Sequence, residues 1–289
     1  MKKIFYYLFF IPAICMTFMA CGDDDDNIIL GDEWAAFVAQ YPNDGPLEIP
    51  ALKEGNIFIS HSTKLTDGSD FETYCLEYDP TMNHPRWVAF RFDNRTSSGD
   101  AGYHGVWYDD PSLPEANQVG NGYFMGYSRG HLCASADRQY SKEANTQTFY
   151  MTNMSPMLSS FNEGIWVKLE GKVRSYLNNT SFLDTLYVVK GGTINPDQIL
   201  EYTHSSKGFP IAVPQKFFMA LLRVKGGVYK SIGFLLDHRA YTDDEYDLKN
   251  YAVSIDQLEA ATGIDFFHNL NDVFEEDTEK SFTLTDWSL

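Results

Sequence analysis

Residues 127–170 read YSRGHLCASADRQYSKEANTQTFYMTNMSPMLSSFNEGIWVKLE. The stretch sets Arg129 two places before His131 inside a loop-like run of Gly and Ser. A cation beside an imidazole favours its neutral form, which suits a group that must take up a proton near an anion. A strand-like run rich in aromatic and β-branched residues follows, TQTFYMTNM at 146–154. The segment then runs into a helical pattern, NEGIWVKLEGKVRSYLNN at 162–179.

On a helical wheel of about 100° per residue that starts at Asn162, the residues Ile165, Trp166, Leu169, Val173, Tyr176 and Leu177 fall within about 60° of it. Asn162 therefore points along the centre of the apolar stripe. Glu170 lies near its edge at about 80°, and Arg174 at about 120°. The helix presents an amide, a carboxylate and a guanidinium in order along one side. Taken singly, these residues have plainer explanations. Asn162 suits a helix N-cap, Glu170 and Arg174 suit an i,i+4 ion pair on a solvated edge, and a lone histidine is more often structural than catalytic.

Outward from this segment, strand-like runs recur at TYCLEYD (73–79), RWVAFRFD (86–93), DTLYVVKGG (184–192), KFFMALLRV (216–224) and GVYKSIGFLLD (227–237). In SIDQLEAATG, Ser254 and Gln257 stand at capping-box spacing and Gly263 marks the stop. DEWAAFVAQY, at 32–41, reads as a further short helix. Strands come in runs and helices are few, which indicates an α+β domain with a mixed or antiparallel central sheet rather than a wound parallel one. No linker or repeat interrupts residues 55–289, which we take as one domain.

The N-terminus, MKKIFYYLFFIPAICMTFMACGDDDD, has two lysines, an apolar run and small residues before Cys21. That is the layout of a secretory signal over residues 1–20, and the run is short for a spanning helix. FMAC resembles a lipobox, with Phe18 where an aliphatic residue is usual, so Cys21 is expected to carry lipid. Residues 21–54 then form an acidic tether and an N-terminal extension, and the protein is expected to be exported as an outer-membrane lipoprotein, periplasmic or at the cell surface. The full chain has 22 basic and 40 acidic residues, a net charge of −18. Once Cys15 has left with the signal and Cys21 is lipidated, Cys75 and Cys133 remain. They either pair in an oxidising compartment or are small buried hydrophobes.

YSRGHL…TNMSPMLSSFNEGIWVKLE closely resembles the DNA/RNA non-specific endonucleases, which include secreted bacterial nucleases and endonuclease G. The family pattern is Asp-Arg-Gly-His, then Asn-Met/Ile-x-Pro, then Asn-x-Gly-x-Trp-x-x-Leu-Glu. PRWVAFRF, YVVKGGTI, IAVPQKFFMALLR and YAVSIDQLEAATGIDFF resemble other parts of the family, so the likeness covers roughly residues 55–270. It implies a ββα-metal (His-Me finger) active site and hydrolysis of phosphodiesters in DNA and RNA to leave 5′-phosphate ends. Carried over residue by residue, it makes His131 the general base and Asn162 the one direct protein ligand of Mg²⁺, or of Mn²⁺ or another divalent cation. Glu170 would hold water in the metal's outer sphere, Arg129 and Arg174 would contact phosphate oxygens, and Asn153 would orient the site. A cation that dehydrates reluctantly is served by one amide with a carboxylate behind it.

This chain departs from the pattern in two places. Ser128 replaces the usual Asp, and no upstream arginine matches, with His104 or Gly105 near its place and Arg95 the nearest arginine. The overall acidity argues against a tight nucleic-acid binder. Residues 121–180 are locally different: Arg129, Arg138, Lys142, Lys168, Lys172 and Arg174 stand against Asp137, Glu143, Glu163 and Glu170, a net of +2. A small focused patch suits an enzyme that must release its product. Two alternatives remain open, a binding lipoprotein that has lost catalysis through Ser128 and the missing arginine, and a phosphodiesterase of small substrates. The remaining histidines read as structural, with Asp237 and His238 as a candidate structural pair.

Overall fold

The computed structural model describes residues 42–289 except 98, 103 and 104. The signal-like segment, Cys21, the acidic tether, the helix expected at 32–41 and His104 therefore lie outside the described residues. In chain order the strands are β1 (Ile57–Lys64), β2 (Asp70–Asp79), β3 (His84–Phe92), β4 (Ser128–His131), β5 (Met154–Met157), β6 (Thr185–Gly192), β7 (Ile199–His204), β8 (Pro210–Pro214), β9 (Lys216–Lys225), β10 (Val228–Asp237) and β11 (Ala252–Val253). The helices are α1 (Lys142–Gln147), α2 (Val167–Tyr176), α3 (Ile255–Thr262) and α4 (Asp272–Lys280). Among the described residues no helix is long and apolar enough to cross a membrane.

Seven strands form one sheet in the order β1-β2-β3-β6-β9-β10-β11, and every neighbouring pair is antiparallel. The α+β class with a large antiparallel sheet and few helices is as read from the sequence. Successive side chains of a strand face opposite sides, and here both sides are covered. Phe217, Met219 and Leu221 of β9 join the core that contains Phe161, Trp166 and Leu169. Phe218, Ala220 and Leu222 join the other core, with Ile255, Leu258 and Phe274. This is why β9 reads as a continuous apolar run rather than an alternating one. Cys75 belongs to the second core and Cys133 to the first, so the sheet lies between them and both thiols are free. They are buried hydrophobes rather than a disulfide.

Two local expectations need correction. TQTFYMTNM is not one strand. Ser141 caps α1 by accepting from the Ala144 N–H at 3.0 Å, a 3₁₀ turn covers Met151–Asn153, and the strand begins only at Met154. Aromatic composition was outweighed there by a helix cap and by the buried amides of Asn145 and Asn153, which bond backbone groups. The long helix also starts earlier than expected. Ser159–Phe161 is already helical, Asn162–Trp166 is a π turn, and α2 stops at Tyr176. By contrast, Ser254 and Gln257 exchange both capping-box hydrogen bonds, and Gly263 ends α3 in the left-handed region.

Candidate active site

The pair β4 and β5 forms a separate two-stranded ribbon in which His131 sits opposite Met154 and Gly130 opposite Ser155. A β-carbon at Gly130 would lie 2.2 Å from the sulfur of Met157, so the Gly of Ser-Arg-Gly-His leaves room for the Met157 side chain. The chain leaves β5 and turns directly into the helical run that carries Asn162 and Glu170, which gives a strand–strand–helix unit.

Two hydrogen bonds fix this helix against the ribbon. Ser128 Oγ and Ser159 Oγ are 2.8 Å apart, and Trp166 Nε1 donates to the His131 carbonyl at 3.4 Å. The two ties straddle Asn162. The turn between them is distorted at Gly164 (φ −96°, ψ −112°), where a β-carbon would meet the Tyr246 hydroxyl at 2.7 Å. A regular wheel could not show this. Asn162 is not an N-cap: its backbone is helical, its N–H bonds to the Leu158 carbonyl, and the helical run begins three residues before it. It is half-buried rather than central to the stripe, and its side-chain amide makes no hydrogen bond to another described residue.

The His131 ring lies among aromatic neighbours, tilted against Trp107 (centroids 5.3 Å apart) and edge-on to Phe149 (5.0 Å). Its Nε2 is buried and has no hydrogen-bond partner among the described residues. Burial, and after it the charge of Lys190, push the pKa of His131 down to about 4; Asp137 opposes this and Arg129 adds to it. The effect expected from Arg129 is thus present but is outranked by burial and by a lysine from β6. The guanidinium of Arg129 stacks over Trp107 at 4.1 Å and donates to the Gly122 carbonyl at 2.6 Å. Trp107 is therefore wedged between the base candidate and the phosphate-contact candidate.

Asn153 is wholly buried. Its Nδ2 donates to the carbonyls of Cys133 and Thr148, and its Oδ1 accepts from the Cys133 N–H at 2.8 Å. It clamps the backbone just after His131. The ordering of the helix start falls to His238 instead. Nδ1–H donates to the Pro214 carbonyl at 2.9 Å, which leaves Nε2 to accept from the Leu158 N–H at 2.8 Å. The pairing of Asp237 with His238 is not found; Asp237 meets Lys216.

Glu170 and Arg174 do not form a solvated edge pair. Glu170 is 7 % exposed, and Lys190 lies 2.9 Å from it and 3.2 Å from Asp137. Arg174 reaches Asp137 at 2.8 Å and Glu170 only at 3.9 Å. Burial opposes the charge on Asp137, but Lys190 and then Arg174 outweigh it and hold the carboxyl below its usual range. Burial raises Glu170, and Lys190 offsets part of that. Sequence reading missed Lys190 and Asp137 because they come from different elements and carry no local pattern.

The local charge count also needs revision. Arg138 is fully buried and donates to carbonyls of Asp137 and Arg91, so it presents no charge to a substrate. Arg95 pairs with Asp93 and lines a cleft of about 720 Å³ with Leu177, Thr180 and Lys225. That cleft contains none of the residues around His131.

The profile of the family described as DNA/RNA non-specific endonuclease matches residues 54–273. A mitochondrial nuclease EXOG of Xenopus laevis is 27 % identical over 216 residues, covering 71 % of this chain and 60 % of its own length. Mitochondrial endonuclease G of Bos taurus is 28 % identical over 208 residues, 68 % of either chain. A nuclease of Syncephalastrum racemosum is 30 % identical over 219 residues, covering 68 % of this chain and 66 % of its own. The chain thus spans about three fifths of the length of the EXOG relative. Among solved structures, the EndoG/EndoGI complex superposes with a TM-score of 0.63 over 79 % of this chain and 91 % of that one, at 19 % identity, which speaks to the fold.

Proposed function

The chain belongs to the DNA/RNA non-specific endonuclease family, and on that premise we propose that it is a divalent-metal-dependent endonuclease hydrolysing phosphodiester bonds of DNA and RNA. The observation that carries the reading is the pairing of a neutral, aromatic-packed His131 with a half-buried Asn162 amide that no other described side chain engages, the two held together by the hydrogen bonds on either side of Asn162.

The donors present fit a hard cation such as Mg²⁺: the Asn162 amide oxygen would bind it and the Glu170 carboxylate would stand behind. When bound, such an ion supplies charge stabilisation to the phosphoryl and leaving oxygens. The remaining steps belong to the protein. His131 is unprotonated at neutral pH and takes a proton from water as the water oxygen bonds to phosphorus. The P–O3′ bond breaks, the 3′ oxygen leaves and takes a proton from solvent water to become a hydroxyl, and the phosphate stays on the 5′ side. An approaching phosphodiester offsets the positive field of Lys190 and Arg129 and raises the basicity of His131 at the moment it is used. Arg129, held by Trp107 and the Gly122 carbonyl, contacts the phosphate. Arg174 is mostly occupied by Asp137, so its share of phosphate contact is smaller.

Residues 22–289, purified and incubated with plasmid and total RNA, are expected to degrade both with Mg²⁺ and neither with chelator. Intact polymers under both conditions would leave the binding or small-substrate readings in place. We further propose anchoring through Cys21. Metabolic labelling with a fatty acid should mark the wild type and not Cys21→Ser; equal labelling of the two would end that idea.

A further inference from the structure

On the face of the sheet opposite Glu170, Asp256 and Glu259 of α3 and Glu279 of α4 bring one oxygen each within 4.8 Å of one another. The i,i+3 spacing places the first two on one side of α3. Glu279, a buried residue of α4, reaches them from that helix. Among the described residues none of the three forms an ion pair. Glu279 is only 6 % exposed, and its Oε1 is buried without a hydrogen-bond partner. A buried carboxylate beside two further carboxylates, with one oxygen that no donor reaches, is a costly arrangement that either a proton or a bound cation relieves.

We propose that Asp256, Glu259 and Glu279 form a Ca²⁺ site that clamps α3 to α4. Oxygen-only donors select a hard cation. Ca²⁺ bonds at about 2.3–2.6 Å, so two of its ligands lie up to about 5 Å apart, and its flexible shell accepts water on the open side. Asp256 is exposed and leaves that side open, whereas Glu279 closes the other. Mg²⁺ demands a tighter octahedron and is seldom held by protein carboxylates alone. The charge environment agrees: after burial, the strongest influences on Glu279 are the carboxylates of Glu259, Glu275, Asp265 and Asp256, which push it up to about 9.

The site is independent of the nuclease reading and is tested apart from it. Equilibrium dialysis of radioactive Ca²⁺ at pH 8 is run in an Asn162→Ala background, which disables the proposed nuclease metal site. One ion per chain is expected, lost in Asp256→Asn/Glu259→Gln and in Glu279→Gln. In thermal melts Ca²⁺ is expected to raise Tm of the parent and not of Glu279→Gln, a near-isosteric change that keeps the fold. Undiminished binding in both carboxamide variants, or no binding by the parent at millimolar Ca²⁺, overturns the proposal. Mg²⁺-dependent cleavage by Glu279→Gln with Asn162 intact is expected to match the wild type, so a failure of the nuclease reading shows up separately.

Discussion

The two faces of the sheet solve the problem of buried charge in opposite ways. Under α2, Asp137 and Glu170 are matched by Lys190 and Arg174, two acids against two bases with contacts as short as 2.8 Å. Under α3 and α4, Glu279 and Glu259 face other carboxylates, and no described cation pairs with them. The balanced cluster needs nothing from outside, so it can serve as a rigid base for the Glu170 carboxylate and as a positive field on His131. The unbalanced cluster has no such internal partner among the described residues. Charge balance, rather than the number of acids, is what differs between the two faces.

The largest effect tests what the balanced face serves. His131→Ala is expected to lower kcat by about 10²–10⁴, the usual worth of a general base, with the Mg²⁺ midpoint unmoved. Asn162→Ala is expected to abolish cleavage at ordinary Mg²⁺ and recover partly at high metal. Glu170→Ala should shift the midpoint by about 10–100-fold, the range for loss of an outer-sphere partner. Rate is measured against Mg²⁺ for all three, with circular dichroism as a check on folding. A shifted midpoint for His131→Ala, or an unshifted one for Asn162→Ala, reverses base and ligand.

Next in size is Lys190→Met, which breaks the balance and leaves two buried acids to one arginine. Breaking a buried pair from one side costs about 3–5 kcal/mol, to be read from denaturant unfolding. Removing this cation also takes away the largest charge holding His131 down. The acid limb of the pH–rate profile should therefore move to higher pH in Lys190→Met, which a purely structural lysine would not cause. An unmoved limb with reduced stability would restrict Lys190 to packing.

What the sequence showed and what it hid follow the same division. Ser254 and Gln257 act within one turn and Gly263 ends the same short helix, so their spacing alone announced it. Arg129, His131, Asn153 and Asn162 were visible because they fall in a compact motif. Lys190 was not, since only the pairing of β6 with β3 and β9 carries it to Glu170. The close approach of the Tyr246 hydroxyl to Gly164 in the π turn was hidden because Tyr246 lies far along the chain. The strand expected at 146–154 failed because composition was weighed there without the cap at Ser141.

The smallest effect tests the unbalanced face in chelator, with no ion to fill it. Glu279 has a folded pKa raised to about 9 by burial and by its carboxylate neighbours. The folded chain therefore keeps a proton that the unfolded chain, with its ordinary carboxyl, gives up at much lower pH. The contribution to stability is full below the unfolded value and is lost as pH rises toward the folded one. Wild type in chelator should lose stability from pH 6 to pH 9, while Glu279→Gln, which cannot ionise, should lose less. Screening by water around the exposed Asp256 reduces the difference to about 1 kcal/mol, or about 2–4 °C in Tm for a domain of this size. The sign is the sharp part. On the balanced face removal of one charge destabilises, whereas here it is expected to stabilise at high pH. Parallel pH profiles of Tm for wild type and Glu279→Gln would mean that Glu279 is already neutralised by a partner, and the contrast between the two faces would fail.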